Sequence, residues 1–343
     1  MEHLAVQHFI DGEPVDGGDR FPLIYPATGE EIGSVPEGGK AEVDAAVRAA
    51  ERAFPQWASL PPSQRRVLLN RFADAILAHG EELGRLETLD VGRPIRDKGA
   101  HYIQRIAANI RFFADFAVQV AAEAFPMENG YLNYVLRRPV GVAALITPWN
   151  IPTLLATWKL GPALAFGNTV VLKPAEWTPV GAWKLAQLAH EAGLPPGVFN
   201  VVHGFGPASA GEYLTLHPGV RLISFTGEIA TGKAIMAAGA PTLKRVSFEL
   251  GGNGANIVFA DADWERALAV SLRAAFFNQG EFCLSGARIF VEEPVYERFV
   301  RDFAARAAAL KVGDPMDPGT EMGALITAEH MERVLTYVES ARR

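Results

Sequence analysis

The chain has 343 residues, 49% hydrophobic and 21% charged, enough to bury a large core and more than one typical domain uses, so two domains are expected. A net charge of −7 with no Lys/Arg block or aromatic-interleaved basic stripe makes nucleic acid and anionic membrane poor candidate partners. A single cysteine cannot form an internal disulfide, and Met1 to His8 lacks a basic region followed by an apolar one, so a cytoplasmic protein is expected.

Along the chain, residues 8 to 36 alternate short apolar runs with Asp11-Gly12, Gly17-Gly18 and Thr28-Gly29, which predicts an edge hairpin or arm. Helical spacing follows at Val43, Ala46, Val47, Ala50 and Phe54, and again at Val67, Leu68, Phe72, Ile76 and Leu77 after the Pro61-Pro62 break. A third helix is predicted from Tyr102 to Val120, with Ile103, Ile106, Ile110, Phe113 and Phe116 on one face and Arg105 and Arg111 among its polar residues. Tyr131 to Pro139 reads as a strand.

Buried strands and helices then alternate: strand 142–147, helix 152–166, strand 169–172, and a helix over 179–192 with Thr178 as cap and proline at its first position. Strand 198–202, a helix from Pro207, strand 222–225 and a helix through Lys233 and Met236 continue the pattern, which is that of a doubly wound α/β parallel sheet. From about residue 250 a second α/β unit begins, with strands at 256–259 and 289–291 and helices after Asp263 and from Pro294.

The chemistry centres on the one cysteine, in Phe276-Phe277-Asn278-Gln279-Gly280-Glu281-Phe282-Cys283-Leu284. Flanked by Phe282 and Leu284, Cys283 reads first as a small buried hydrophobe. Upstream, however, stands Glu249 in Phe248-Glu249-Leu250-Gly251-Gly252, a carboxylate among apolar residues whose charged form is disfavoured and whose pKa moves toward that of a general base. Asn150 lies between Pro148 and Pro152 at the end of an apolar run. Cysteine, glutamate and asparagine together supply a nucleophile, a base and an oxyanion donor.

With these motifs the chain resembles the aldehyde dehydrogenase superfamily over its whole length. The resemblance rests on Pro148-Trp149-Asn150, Lys173-Pro174-Ala175-Glu176, Phe225-Thr226-Gly227, Glu249-Leu250-Gly251-Gly252 and Gly280-Glu281-Phe282-Cys283. Arg137 to Val142, Asn200 to Gly206 and Phe225 to Glu228 are most similar to the hydroxymuconic semialdehyde dehydrogenases of aromatic catabolism. The resemblance implies that Cys283 attacks an aldehyde, that Asn150 and the Cys283 backbone N–H hold the oxyanion, and that Glu249 activates the water that hydrolyses a thioester. It also places Lys159, in Trp158-Lys159, near the site.

NAD is the implied cofactor and no metal is expected. Lys173 and Glu176 would hold the adenosine ribose, with Thr147, Pro148, Trp149, Pro174, Ala175, Gly206, Phe225, Thr226, Gly227, Leu250 and Gly251 around the rest of the dinucleotide. Gly204-Phe205-Gly206 alone is a weak fingerprint, because Ser209 replaces its third glycine and a tight strand-to-helix turn explains it as well. Glu176 can accept from both ribose hydroxyls and would repel a 2′-phosphate, which favours NAD over NADP. Arg105 occupies the position of an arginine that would meet the substrate's remote carboxylate; a solvated helix arginine is the alternative.

Departures from the family pattern are Glu281, where glutamine is common, Asn253-Gly254, where lysine is common, and Glu228, where many relatives have serine. An inward Glu281 would raise the thiol pKa, and Glu228 is expected to turn away from the pyrophosphate. The expected organisation is residues 1–130 as an N-terminal arm and helices joining the NAD-binding domain, 131–141 as a pairing hairpin, 142–250 as the dinucleotide-binding domain, and 251–343 as an incomplete catalytic domain. Family members extend beyond Arg343, so a C-terminal truncation is expected, and a homo-oligomer if that part is present. The runner-up is an NAD-binding protein of the same lineage with little turnover.

Overall fold

A computed structural model describes residues 3–343. The chain opens with five strands, β1 (Leu4–Ala5), β2 (His8–Ile10), β3 (Glu13–Val15), β4 (Arg20–Ile24) and β5 (Glu31–Pro36). Four helices follow, α1 (Lys40–Ser59), α2 (Pro62–Ala78), α3 (Gly80–Val91) and α4 (Ala100–Gln119). The hairpin β6 (Ala124–Pro126) and β7 (Leu132–Tyr134) separates them from the alternating region β8 (Val142–Ile146), α5 (Pro152–Ala165), β9 (Thr169–Lys173), α6 (Val180–Glu191), β10 (Phe199–Val201), α7 (Ala210–Leu216), β11 (Val220–Gly227), α8 (Ile229–Gly239) and β12 (Arg245–Leu250). Last come β13 (Ala255–Val258), α9 (Trp264–Phe276), β14 (Arg288–Val291), α10 (Tyr296–Ala308) and α11 (Ala328–Arg342).

The main sheet has seven strands in the order β12-β11-β8-β9-β10-β2-β3. Pairing from β12 to β10 is parallel, and the β2–β3 hairpin adds antiparallel at one edge. Its turn residues Asp11 and Gly12 have φ of 58° and 85°, the pair of positive angles that a two-residue hairpin turn needs. From β8 the chain winds through β9 and β10, then returns to the other side as β11 and β12. The winding therefore reverses between β8 and β11, the kind of place where open α/β sheets leave a crevice for a ligand.

Both faces of the central strands β8, β9 and β10 are covered, which explains why they read as largely apolar runs. Ala143, Leu145, Val170 and Leu172 point into a core with helices α2, α4, α5 and α6. Val142, Ala144, Ile146 and Ile223 point into the opposite core, with α1, α7 and α8. The doubly wound expectation holds, and a second α/β segment runs from β13 to α11. That segment has a small core around Val258, Leu268 and Phe299, and its two-stranded sheet leaves Ile257, Phe259 and Phe290 exposed.

Several local expectations need correction. Helix α3 was not foreseen, because its buried side includes Gly84, Glu87, Thr88 and Asp90 and so carries a weak apolar signal. Thr178 does not cap α6: its hydroxyl is buried without a partner, and the Val180 N–H donates instead to Asp90 Oδ2 of α3 at 3.0 Å. The hairpin begins at Ala124, upstream of the segment 131–141, and its second strand is confined to Leu132–Tyr134. Phe116, expected on the apolar face of α4, is 49% exposed and stacks on Phe112.

Candidate active site

Helix α9 stops at Phe276, and the next residues turn sharply, with positive φ at Asn278 (52°), Gln279 (58°) and Gly280 (82°). Two non-glycine residues in this region cost about 1–2 kcal/mol each, so other contacts must hold the turn. Asn278 Nδ2 donates to Asn150 O at 3.2 Å and to Glu281 O at 3.1 Å, and Gln279 Nε2 donates to Ala324 O at 3.0 Å. The turn brings Cys283 to the surface. Reading Cys283 as a buried hydrophobe is thereby overturned: Phe282 supplies the apolar anchor, packed edge-on against Phe277 at 5.2 Å.

Asn150 meets this loop directly. It follows β8, where the Thr147 N–H donates to Lys173 O at 3.2 Å. Asn150 Nδ2 donates to Glu281 O at 2.8 Å, while its Oδ1 accepts from the Ile151 N–H at 3.1 Å. Two residues separated by 131 positions are thus joined two residues from the single cysteine. Trp149 beside it lies 5.1 Å from the His330 ring and 5.8 Å from Trp177.

Glu249 departs from expectation. It lies on β12, in register with Thr226 of β11, and it is exposed. Strand β12 is the outermost of the sheet, where only Val246 and Phe248 are partly covered, so apolar sequence neighbours do not desolvate the carboxylate. The perturbed cation is Lys159 on α5, buried, with Nζ donating to Ser224 Oγ at 2.9 Å. Burial pushes its amine down to about 8, and the Glu249 carboxylate partly opposes this.

The residues expected to bind a dinucleotide gather at the carboxyl ends of neighbouring strands. Thr147, Pro148 and Trp149 follow β8, Lys173 ends β9 and Pro174 to Glu176 follow it, and Phe225, Thr226 and Gly227 end β11, whose Phe225 pairs with Ile146. Lys173 is buried and its Nζ lies 3.5 Å from Glu176 Oε2, with Glu176 partly exposed. Pro174 and Ala175 are buried between them, whereas Leu250 and Gly251 are exposed. An added Cβ at Gly227 would stand 2.5 Å from the Phe225 ring, so a larger residue there requires that buried ring to move. Gly204 has φ of 140° and packs on Ser209 Oγ, in keeping with a tight strand-to-helix turn, while Gly206 borders open space.

Glu281 points inward: it is 8% exposed, and burial pushes its carboxyl up to about 8. Glu228 is exposed and pairs with Arg333 of α11 at 3.2 Å. Arg105 is exposed on α4 with no ion pair among the described residues. One turn on, Asn109 accepts from Trp158 Nε1 at 2.9 Å and donates to Thr157 at 3.1 Å, connecting α4 to the helix that carries Lys159. The roles of Asn278, Asn109 and His330 were not foreseen. Asn-Gln-Gly after a helix does signal a left-handed turn, but the other two depend on contacts distant in sequence.

A buried lysine amine paired with a partly exposed carboxylate at a strand's carboxyl end offers a donor and an acceptor to a vicinal diol. The donor set therefore fits the ribose of a dinucleotide. The aldehyde dehydrogenase family matches residues 14–343. The chain belongs to the aldehyde dehydrogenase family. It is 48% identical to 2-hydroxymuconic semialdehyde dehydrogenase of Pseudomonas sp. (strain CF600), over 98% of this chain and 71% of that protein. Identity to 5-carboxymethyl-2-hydroxymuconate semialdehyde dehydrogenase of Escherichia coli is 46%, over 97% and 70% of the two chains. The NAD+ complex of an aldehyde dehydrogenase from Bacillus cereus superposes with a TM-score of 0.96 at 40% identity, over 99% of this chain and 70% of that one. This aldehyde dehydrogenase chain thus spans about 70% of these relatives' length.

Proposed function

We propose that the protein oxidises a semialdehyde bearing a remote carboxylate to the corresponding acid, with NAD as cofactor and Cys283 as nucleophile. The observation that carries this reading is the Asn150 Nδ2 to Glu281 O bond of 2.8 Å, which sets an amide donor against the loop of the chain's one cysteine. Identity of 48% to a semialdehyde dehydrogenase supports the substrate class.

In this reading Cys283, as thiolate, adds to the aldehyde carbon and leaves an oxyanion. Asn150 has two amide protons; one is held by Glu281 O, which orients the group, and the other serves the oxyanion together with the Cys283 backbone N–H. NAD, when bound, supplies the hydride acceptor. Once the carbon has lost its hydride, an acyl group remains on sulfur. Glu249 takes a proton from the attacking water, the C–S bond breaks, and the carboxylic acid and the Cys283 thiolate are released. Lys159 places a cationic group in the field of Glu249. Lys173 and Glu176 hold the cofactor's ribose, with the loops after β8 and β11 and residues Gly206, Leu250 and Gly251 around it.

The domain limits at 142 and 250, a cytoplasmic setting and self-association through the β6–β7 hairpin belong to the same proposal. Phe125, Tyr131, Leu132 and Tyr134 on that hairpin are all more than half exposed, which supports burial against another copy. The second reading, an NAD-binding protein without turnover, is favoured by the solvent exposure of both Cys283 and Glu249. Cofactor quenching of tryptophan fluorescence without NADH formation would select it.

Cofactor choice tests Glu176. Glu176→Ser removes both the ribose acceptor and a repulsion worth roughly 1–4 kcal/mol against a phosphate at about 4 Å, so the NAD/NADP ratio of kcat/KM is expected to fall. An unchanged ratio would make Glu176 a surface residue. Substrate class tests Arg105, whose guanidinium can take a carboxylate in bidentate fashion. Arg105→Ala is expected to lower kcat/KM about 10- to 150-fold for a carboxylated semialdehyde, equivalent to about 1.5–3 kcal/mol, and to spare a neutral aldehyde of similar length. Equal effects on both would remove Arg105 from the substrate site and with it the preference for carboxylated substrates.

A further inference from the structure

The turn before Cys283 is clamped from two sides, and the clamp contains a carboxyl group that the proposed chemistry does not use. Glu281 O accepts Nδ2 of Asn150 at 2.8 Å and Nδ2 of Asn278 at 3.1 Å. On its other side, Glu281 Oε1 accepts the Ile326 N–H at 3.1 Å and lies 3.6 Å from His330 Nε2. Oε2 is buried without a partner among the described residues. Gln279 reinforces the link by donating to Ala324 O at 3.0 Å, and the Ala324 N–H in turn donates to Gly92 O at 3.1 Å. One residue therefore connects the oxyanion-side amide, through its backbone, to the segment leading into α11, through its side chain.

The geometry points to Glu281 as a positioning residue whose protonation sets the reactivity of Cys283: its side chain fastens residues 324–330 to the thiol loop through the Ile326 N–H in either form, and only when ionised does it place an uncompensated charge two residues from the sulfur. A buried carboxylate with one oxygen bonded to a single N–H and the other unpartnered is poorly solvated, so the neutral form persists to higher pH than for an ordinary glutamate. Burial raises its pKa to about 8, and the Ile326 N–H partly opposes this.

No facing group offsets the charge. His330 of α11 is pushed down by its own burial and then by Arg333, which makes its imidazole a poor cation near neutrality. Arg333 is paired with Glu228 at 3.2 Å. From the loop after β8 come Trp149 and Asn150, and from the turn itself Asn278, Gln279 and Phe282, all uncharged. Arg93 lies 4.4 Å over the Phe277 ring and pairs with Asp97 at 3.3 Å, and Arg273 lies 5.3 Å from the same ring.

This inference rests on Cys283 being the reactive group, but it is read from the thiol itself and needs no turnover. Cys283 is the single cysteine, so iodoacetamide uptake by the full chain, measured by intact mass, reports on it alone. Glu281→Gln keeps an acceptor for the Ile326 N–H and cannot ionise. The two proteins are expected to alkylate at equal rates near about pH 6.5, with Glu281→Gln roughly threefold or more faster near pH 9, once the wild-type carboxyl is charged. A ratio that stays constant with pH overturns the proposal, whatever the enzymatic activity. Hydrogen exchange provides the second reading: residues 324–330 should exchange faster in Glu281→Ala and unchanged in Glu281→Gln, and protection retained in Glu281→Ala overturns the clamp. If neither variant folds, the wild type decides, because alkylation that follows one simple thiol titration across about pH 6.5 to 9.5 also overturns it.

Discussion

Replacing Cys283 with alanine is expected to lower kcat/KM for aldehyde oxidation by roughly 10³-fold or more while leaving NAD affinity within about twofold of wild type. The two effects separate because the sulfur and the ribose contacts lie on different elements. Cys283 follows α9, whereas Lys173 ends β9 and Glu176 follows it. The side chain is exposed, so its removal leaves no cavity, and the melting temperature should hold. The turn is kept in place by Asn278, Gln279 and Phe282, none of which the substitution touches. Turnover above about one percent of wild type would remove Cys283 from the reaction as the attacking group.

Glu249→Gln is expected to lower the steady-state rate by roughly 10²- to 10⁴-fold, the range typical of losing a general base. Acylation and deacylation make different demands on the protein. The carboxylate is assigned to activating water, a step that follows NADH formation. The first turnover should therefore survive, giving a burst of NADH close to one equivalent per active site and then little further rate. Glutamine keeps the size and hydrogen-bonding reach of glutamate, and an exposed position on an edge strand tolerates it without structural cost. Stopped-flow absorbance separates the phases. Loss of the burst would mean that Glu249 acts earlier, in deprotonating the thiol, and would reassign the base for hydrolysis.

Much of the scaffold was legible in the sequence because its central strands are buried on both faces. Val142 to Ile146 and Val170 to Leu172 are uninterrupted apolar runs, the first preceded by Gly141 and the second set between Asn168-Thr169 and Lys173-Pro174, so their type follows from the sequence pattern. Elements whose buried side is polar were not legible. Helix α3 encloses Glu87, hydrogen-bonded to Lys98 Nζ at 2.7 Å, and Asp90, which bonds the first turn of α6. Those pairings join residues 11 and 90 positions apart in sequence, and periodicity cannot report them.

The site shows the same division. Cys283, Asn150 and Lys173 could be singled out from local motifs, and the structure brings the Cys283 loop and Asn150 together through Glu281 O. The environment of Glu249 could not be inferred from its neighbours, because whether Phe248 and Leu250 cover a carboxylate depends on where β12 sits in the sheet. At the outer edge, they do not. Nor could the sequence reveal that Glu281 bonds Ile326, since that contact crosses 45 positions and depends on a segment without regular structure.

Trapping the covalent intermediate tests the central claim most directly. Glu249→Gln is mixed with NAD and a carboxylated semialdehyde, quenched in acid after the burst, and its mass is measured intact and after digestion. The account predicts a mass increase equal to the acyl group, located on the peptide that contains Cys283 and absent when Cys283 is also replaced by alanine. NADH formed without that adduct, or an adduct on another residue, would contradict it.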